Sequence, residues 1–103
     1  FGCSLKGLKA GWLQPAFRTE IIVCLIALPM ACVVAQTGVE LALLIGSVLL
    51  VPIIELLNSA IEAAIDRISL EHHELSGRAK DMGSAAVLVG IINAAVIWFA
   101  VLW

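Results

Sequence analysis

Read from its N-terminus, the chain alternates long uncharged apolar runs with short polar strips. Residues Ser4 to Glu20 are mixed: Lys6, Lys9 and Arg18 interleave with Leu5, Leu8, Trp12, Leu13 and Phe17. Leu5, Leu8 and Trp12 recur at i, i+3 and i+7, the spacing of one helical face. A basic, Trp-containing amphipathic helix of this kind lies in a membrane interface. It is expected over residues 4–19, with Pro15 bending or interrupting it. From Ile21 to Ala35 the run IIVCLIALPMACVVA carries no charge and one proline, Pro29. It is short for a crossing, and flanking residues extend it. Gln36-Thr37-Gly38 reads as a tight polar turn. A second apolar run spans Val39 to Ile54, with Glu40 near the turn and Pro52 near its far end. It continues as ELLNSAIEAAIDRISLEHHEL, predicting one long helix that leaves the membrane and reaches about residue 70. Ser76-Gly77 opens a polar linker, SGRAKD, and Met82 to Trp103 is a third uncharged run long enough to span.

Composition turns this pattern into a class. The chain has 103 residues, 62% hydrophobic and only 14% charged. Soluble domains run at about 45–50% apolar and about 25% charged. At roughly 20 apolar residues per crossing, the apolar side chains furnish about three spans. What remains is too little for a second domain or a soluble catalytic fold, so residues 1–103 read as one integral membrane domain. The fold class expected is an all-α membrane protein, with three transmembrane helices and an N-terminal amphipathic surface helix.

A net charge of −2 with no basic run argues against a nucleic-acid partner. Cys24 and Cys32 lie eight positions apart on one helix, about 12 Å at 1.5 Å per residue. A disulfide needs Cα atoms within about 7 Å, so these two cannot bridge within one chain. With Cys3 as the third cysteine there is no CxxC and no disulfide scaffold. The opening FGCSLKGLKAGW lacks a charged region followed by an apolar one, so no cleavable signal peptide is expected. Because it starts without Met, a trimmed N-terminus is expected as well. All six basic residues, Lys6, Lys9, Arg18, Arg67, Arg78 and Lys80, fall in the N-terminal segment or between the second and third spans. The positive-inside rule puts both regions in the cytoplasm and the C-terminus on the opposite side, with Trp98 and Trp103 at the far interface.

Candidate chemistry concentrates between Glu55 and Asp81. On a helical wheel Glu55, Asn58, Ser59, Glu62 and Asp66 fall at about 0°, −60°, +40°, −20° and +20°. They form one polar stripe on a helix otherwise built of Leu56, Leu57, Ala60, Ile61, Ala63, Ala64 and Ile65. Two structural roles compete for the stripe: the water-facing side of an emerging helix, which suits Asp66, and hydrogen-bonded glue between helices, which suits Asn58 and Ser59. Neither accounts well for Glu55, because ionisable groups at the membrane edge are expensive and are functional candidates by default. A carboxylate there suits a general base for a lipid hydroxyl. Glu62 and Asp66, one turn or more toward water, suit Mg²⁺, with phosphates and waters completing the shell. Glu71, His72, His73, Glu74, Arg78, Lys80 and Asp81 follow, and the cations among them can hold phosphoryl oxygens. The adjacent His72 and His73 do not share a helix face, so structural zinc is not expected. No GxxxxGK[ST] is present, so nucleotide chemistry of the P-loop kind is excluded.

The run from Glu55 to Arg67, E-x-x-N-S-A-x-E-x-x-x-D, and the A-K-D-x-x-S-A-A-V element starting at Ala79 closely resemble the prokaryotic diacylglycerol kinase family. The likeness extends from Lys6-Gly7-Leu8 through Phe17-Arg18-x-Glu20 to Trp103. The resemblance implies a homotrimer in the bacterial inner membrane with its N-terminus in the cytoplasm. It implies transfer of the γ-phosphoryl of MgATP to diacylglycerol, giving phosphatidic acid, in sites shared between subunits. Glu55 becomes the catalytic base and Glu62 a Mg²⁺ ligand, with Asn58 in support. Cys3, Glu62, Asp66, Glu71, His72, His73, Lys80 and Asp81 become nucleotide-binding. Trp12, Ala16, Phe17, Arg18, Glu20, Glu55, Ser84 and Trp98 become contacts for the lipid substrate. One interval departs from the family pattern. Where the family carries Asn-Glu between the surface-helix Trp and Phe-Arg, with that Glu a second metal ligand, this chain has Leu13-Gln14-Pro15-Ala16. It is one residue shorter, and Gln14 offers only a neutral oxygen.

The same fold serves undecaprenol kinases, but HELSGRAKDMGS resembles the diacylglycerol-specific branch. Two readings of other classes compete. A proton-coupled transporter needs an ionisable group near the bilayer midplane, which no span supplies. A non-catalytic assembly subunit would use the stripe as helix glue and turn over no ATP.

Overall fold

The computed structural model describes residues 1–68 and 74–103. It consists of four helices in chain order: α1 Gly2–Trp12, α2 Pro15–Val34, α3 Gly38–Ile68 and α4 Glu74–Leu102. The described residues form no strand. Three of the four, α2 to α4, are long and apolar enough to cross a membrane. At 1.5 Å per residue the 31 residues of α3 measure about 46 Å, against a hydrocarbon layer of about 30 Å. One end of α3 must therefore stand in the interface, and that end carries the stripe.

Local chemistry sets the helix boundaries. Pro15 has no backbone N–H to continue α1, but its fixed φ suits the first turn of a new helix. The amphipathic helix accordingly stops at Trp12, and Pro15 opens α2 with Gln14 as its cap. This corrects the expected surface helix over residues 4–19, because Pro15 to Thr19 belong to the first spanning helix. At the α2–α3 turn Thr37 caps α3. The Glu40 N–H donates to Thr37 Oγ1 at 3.1 Å, and Glu40 Oε1 accepts from the Gln36 N–H at 3.2 Å. Thr37-Gly38-Val39-Glu40 thus works as a capping box reaching one residue further back. The SGRAKD strip is not a linker. It forms early turns of α4, where Arg78 donates to Glu74 one turn before it at 3.1 Å.

α3 and α4 run antiparallel. Asp66 meets Lys80, Asn58 meets Gly83, and Leu44 meets Trp98, one number falling as the other rises. α2 joins them through a small cluster of Cys24, Ala27 and Val48, with Leu28 and Trp98 packed against it. Much of the remaining apolar surface, including Leu25, Val33, Val89 and Phe99, faces outward, as lipid-exposed helices require. Leu5, Leu8 and Trp12 of α1 are exposed as well, on the face assigned to the interface. α1 docks through Gly11, where an added Cβ would come within 2.5 Å of Leu56 Cδ2 on α3 and 3.4 Å of Phe17 Cδ2. A bare α-carbon is what lets the surface helix lie this close to α3.

One interaction ties α2 to α3 in the apolar layer. Pro52 cannot donate to the Val48 carbonyl, the acceptor one turn before it, and a free carbonyl in hydrocarbon is costly. The buried Cys24 Sγ–H donates to that oxygen at 3.3 Å. The Trp98 indole N–H likewise donates to the Leu44 carbonyl, at 3.2 Å. Cys24→Val should therefore cost about 1–3 kcal/mol of stability by orphaning the carbonyl. In a Pro52→Ala background, where a backbone N–H returns, the same substitution should cost much less. Thermal unfolding of all four chains in detergent micelles measures this coupling, and equal costs in both backgrounds would remove the Cys24 bond from the account.

Candidate active site

The stripe predicted on α3 does not face one environment. Glu55 and Asn58 are buried, each 8% exposed, while Ser59 is half-buried and Glu62 and Asp66 are exposed. The same helix face passes from protein interior to water in about three turns. Asn58 Nδ2 donates to Glu62 Oε1 at 2.9 Å, so the buried and exposed parts of the stripe are joined. Lys80 of α4 reaches across and donates to Asp66 Oδ1 at 2.7 Å. This ion pair is solvent-exposed on both sides and adds at most about 1 kcal/mol of stability. What it does is hold a cation over the water end of the stripe.

Among the described residues, three buried side-chain oxygens accept no hydrogen bond: Glu20 Oε2, Glu55 Oε2 and Asn58 Oδ1. Asn58 Oδ1 lies against Gly83; buried polar atoms are normally satisfied, so the open carboxylate oxygens of Glu20 and Glu55, on adjacent helices, mark a place suited to a donor. A substrate hydroxyl, a transferred proton or a cation meets that need.

Two cavities flank Glu55 along α3. The first, of about 450 Å³, lies below it and is lined by Ala16, Thr19, Glu20, Val23, Cys24, Val48, Val51, Ile91 and Ala94. Glu20 is its one ionisable wall residue apart from the Cys24 thiol, and Val51 lies one turn from Glu55 on the same face. The second, of about 580 Å³, lies under the surface helix between Gly7, Gly11 and Gln14 on one side and Leu56, Ser59 and Ala63 on the other. Glu55 lines neither and sits at the level between them, where an apolar chamber gives way to a more polar one.

The structure brings together Glu55, Asn58, Glu62, Asp66 and Lys80. It sets Ala16 and Glu20 on the first cavity, and buries Phe17 against the α1–α2 junction. Cys3, Trp12, Arg18, Asp81 and Ser84 are exposed around this region. Trp98 lies about 20 Å further along α4 than Ser84, at 1.5 Å per residue, and packs on the Cys24–Ala27–Val48 cluster. It lines a neighbouring groove with Val23 and Ala94, both also walls of the first cavity. Glu71, His72 and His73 lie outside the described residues. Among the described residues no group of three or more His, Cys, Asp or Glu side chains could cage a metal.

Two residues that the sequence reading passed over shape the site, Gly11 and Gly83. A Cβ on Gly83 would overlap Asn58 Oδ1, and one on Gly11 would strike Leu56. The available signal was a glycine inside a helical pattern, which costs about 1 kcal/mol against alanine and so calls for a packing reason.

A buried carboxylate without a full set of partners is a burden on folding. Glu55→Gln and Glu20→Gln should therefore leave the thermal unfolding midpoint unchanged or raise it. A fall of more than about 1 kcal/mol in either would mean that the carboxylate has a stabilising partner after all.

A family model described as prokaryotic diacylglycerol kinase matches residues 2–102. A protein named diacylglycerol kinase from Escherichia coli (strain K12) is 55% identical over 103 residues, covering 99% of this chain and 84% of the relative. Proteins of the same name from Haemophilus influenzae and Pseudomonas aeruginosa are 46% and 45% identical. The Haemophilus match covers 97% of this chain and 86% of the relative, and the Pseudomonas match 98% and 83%.

Proposed function

The chain belongs to the prokaryotic diacylglycerol kinase family, and on that premise we propose that the Glu55 cluster is where ATP phosphorylates diacylglycerol to phosphatidic acid. The observation that carries this reading is the placement of Glu55. Its buried Oε2 lacks a partner, an apolar cavity lies below it, and the Asn58–Glu62 and Asp66–Lys80 pairs lead from it to water. A lipid needs the first environment and a nucleotide the second.

The diacylglycerol enters sideways from the bilayer, its acyl chains against the cavity of Val23, Val48, Val51 and Ile91. Its free hydroxyl reaches Glu55, which accepts the proton as the hydroxyl oxygen attacks the γ-phosphorus. The new P–O bond forms as the bond to the β-phosphate oxygen breaks in line, and ADP leaves toward water. Lys80 meets the phosphate oxygens, and Asp66 holds its ammonium in place. Asp81 and the exposed Cys3 lie on the nucleotide side in this reading, as do Glu71, His72 and His73 by sequence. Trp12, Arg18 and Ser84 border the lipid entry.

The donor set fits a Mg²⁺ carried by the nucleotide rather than one caged by protein. Mg²⁺ is commonly held by one or two carboxylates together with substrate phosphates, and Glu62 is an exposed carboxylate with one oxygen oriented by Asn58. When bound there, the ion neutralises phosphate charge. We also infer a homotrimer with sites completed between subunits, because Glu62 and Lys80 stand on an open face that one chain does not enclose. The basic strips place the N-terminus and the Glu55–Asp81 region on the cytoplasmic side of a bacterial inner membrane.

The test is ADP release coupled to a spectroscopic readout in mixed micelles, with diacylglycerol and undecaprenol as competing acceptors. Diacylglycerol should be the better substrate, and equal or preferential use of undecaprenol would overturn the assignment. Glu55→Gln should lower turnover by about 10²–10⁴-fold while ATP binding is retained. Glu62→Ala should raise the Mg²⁺ concentration needed for half-maximal rate. An unchanged Mg²⁺ dependence would take Glu62 out of the metal shell.

A further inference from the structure

We propose that Gly83 is a positioning residue for the phosphoryl-transfer site: the bare α-carbon of α4 sets the Asn58 carboxamide so that its amino group holds Glu62. The inference rests on the kinase reading for its catalytic consequence, but its geometric part stands alone.

Asn58 is buried between α3 and α4, and its two ends have different neighbours. Nδ2 donates to Glu62 Oε1 at 2.9 Å. Oδ1 is buried and accepts no hydrogen bond. It occupies the space into which a side chain at position 83 would project. A Cβ there would overlap Oδ1 outright and lie 3.1 Å from Cγ and 3.7 Å from Cβ of Asn58. The carboxamide therefore lies across a glycine α-carbon, whose C–H is the weak donor on that side.

The alternative orientation is penalised at both ends. Turning the amide over would set its oxygen against the Glu62 carboxylate oxygen, two acceptors facing one another. It would also press the amino group onto a C–H, which accepts nothing. The present arrangement needs an acceptor at 62, a carboxamide at 58 and no side chain at 83. Gly83 supplies the room, and Asn58 passes the constraint to Glu62.

An alanine at 83 forces the amide oxygen to move by on the order of 1 Å to reach ordinary van der Waals separation. That movement withdraws Nδ2 from Glu62 and leaves the carboxylate free to turn away from the site. Asn58 and Asn93 are the two asparagines of the sequence, so selective ¹⁵N-asparagine labelling yields just two side-chain amide pairs. Asn93 lies in the span well away from the site and serves as an internal reference for the fold.

The experiment compares wild type, Gly83→Ala, Asn58→Ala and the double variant in detergent micelles, by ¹⁵N–¹H spectra and lipid-dependent ADP release. In Gly83→Ala the Asn58 amide pair should shift and its amide protons exchange faster, with the Asn93 pair unmoved. Turnover should fall by roughly 10–100-fold, in line with the cost of misplacing a catalytic group by about 1 Å. The KM for diacylglycerol should stay within about twofold, since the lipid cavity is untouched. In the Asn58→Ala background Gly83→Ala should change neither turnover nor thermal midpoint appreciably, because the side chain it collides with is gone. An unmoved Asn58 resonance in Gly83→Ala overturns the proposal. So does an equal loss of turnover or stability in both backgrounds, which would assign Gly83 to helix packing alone. A wild type that releases no ADP with diacylglycerol, yet shows the protected Asn58 amide, would sink the kinase reading and leave the geometry standing.

Discussion

In a bilayer, a polar atom turned away from water must find its partner inside the protein. This constraint governs how α2, α3 and α4 meet. In the apolar layer it is met in full at the Val48 carbonyl, freed by Pro52 and taken by the Cys24 thiol. The Leu44 carbonyl similarly receives the Trp98 indole N–H. Toward the water end it is met by Asn58 on Glu62 and Lys80 on Asp66. Between these two zones it is not met at Glu20 Oε2, Glu55 Oε2 and Asn58 Oδ1. The break in the pattern coincides with the level at which the proposed function puts the lipid hydroxyl. Bonds at Val48 and Leu44 on one side and at Glu62 and Asp66 on the other thus frame a level at which the Glu20 and Glu55 carboxylates each keep an acceptor open.

The same constraint explains how so small a chain can be a kinase. A soluble kinase must build walls to exclude water from its reacting groups. Here lipid and the outward apolar faces of α2 and α4 supply the dry side, and in the proposed reading the nucleotide would come from the interface. The protein has only to carry one helix through that boundary with its polar face intact. α3 does so because it is longer than the hydrocarbon layer is thick, so Glu55 and Asp66 stand in different media on one rigid rod. The Asn58–Glu62 bond then couples the two media directly.

Much of this was legible in the sequence, for physical reasons. Hydrophobic runs of spanning length report crossings reliably, because each lipid-facing residue must be apolar. The stripe at Glu55, Asn58, Glu62 and Asp66 was visible because helical periodicity fixes which residues share a face. The Pro15 interruption was visible as well, since a missing N–H acts locally. What escaped was set by the neighbouring helix. The strip SGRAKD looks like a linker by composition, yet Lys80 within it reaches Asp66 of α3 from a turn of α4. Cys24 looks like one more apolar residue until Val48 is placed opposite it. Gly83 looks like a weak point in a helix until Asn58 is seen lying on it. In each case the deciding atom belongs to a residue distant in the sequence, and nothing in the local pattern points to it.

The junction between surface helix and first span carries the remaining consequence. The interval Leu13-Gln14-Pro15-Ala16 brings no carboxylate to that junction. The structure shows what the shorter interval does instead. Gln14 caps α2 and faces the cavity under the surface helix, opposite Ser59 and one residue from Pro15. Pro15 starts α2 after a two-residue turn at Leu13 and Gln14, and Ala16 and Glu20 line the first cavity from the first and second turns of the span. In the proposed reading an Mg²⁺–nucleotide at this site would meet no carboxylate from the α1–α2 junction and would rely on Glu62 of α3. In that reading this would make Glu62 the carboxylate whose orientation matters most, and with it whatever holds Glu62 still. Glu62 is oriented by the Asn58 amide, and Asn58 in turn lies where a side chain at 83 would project.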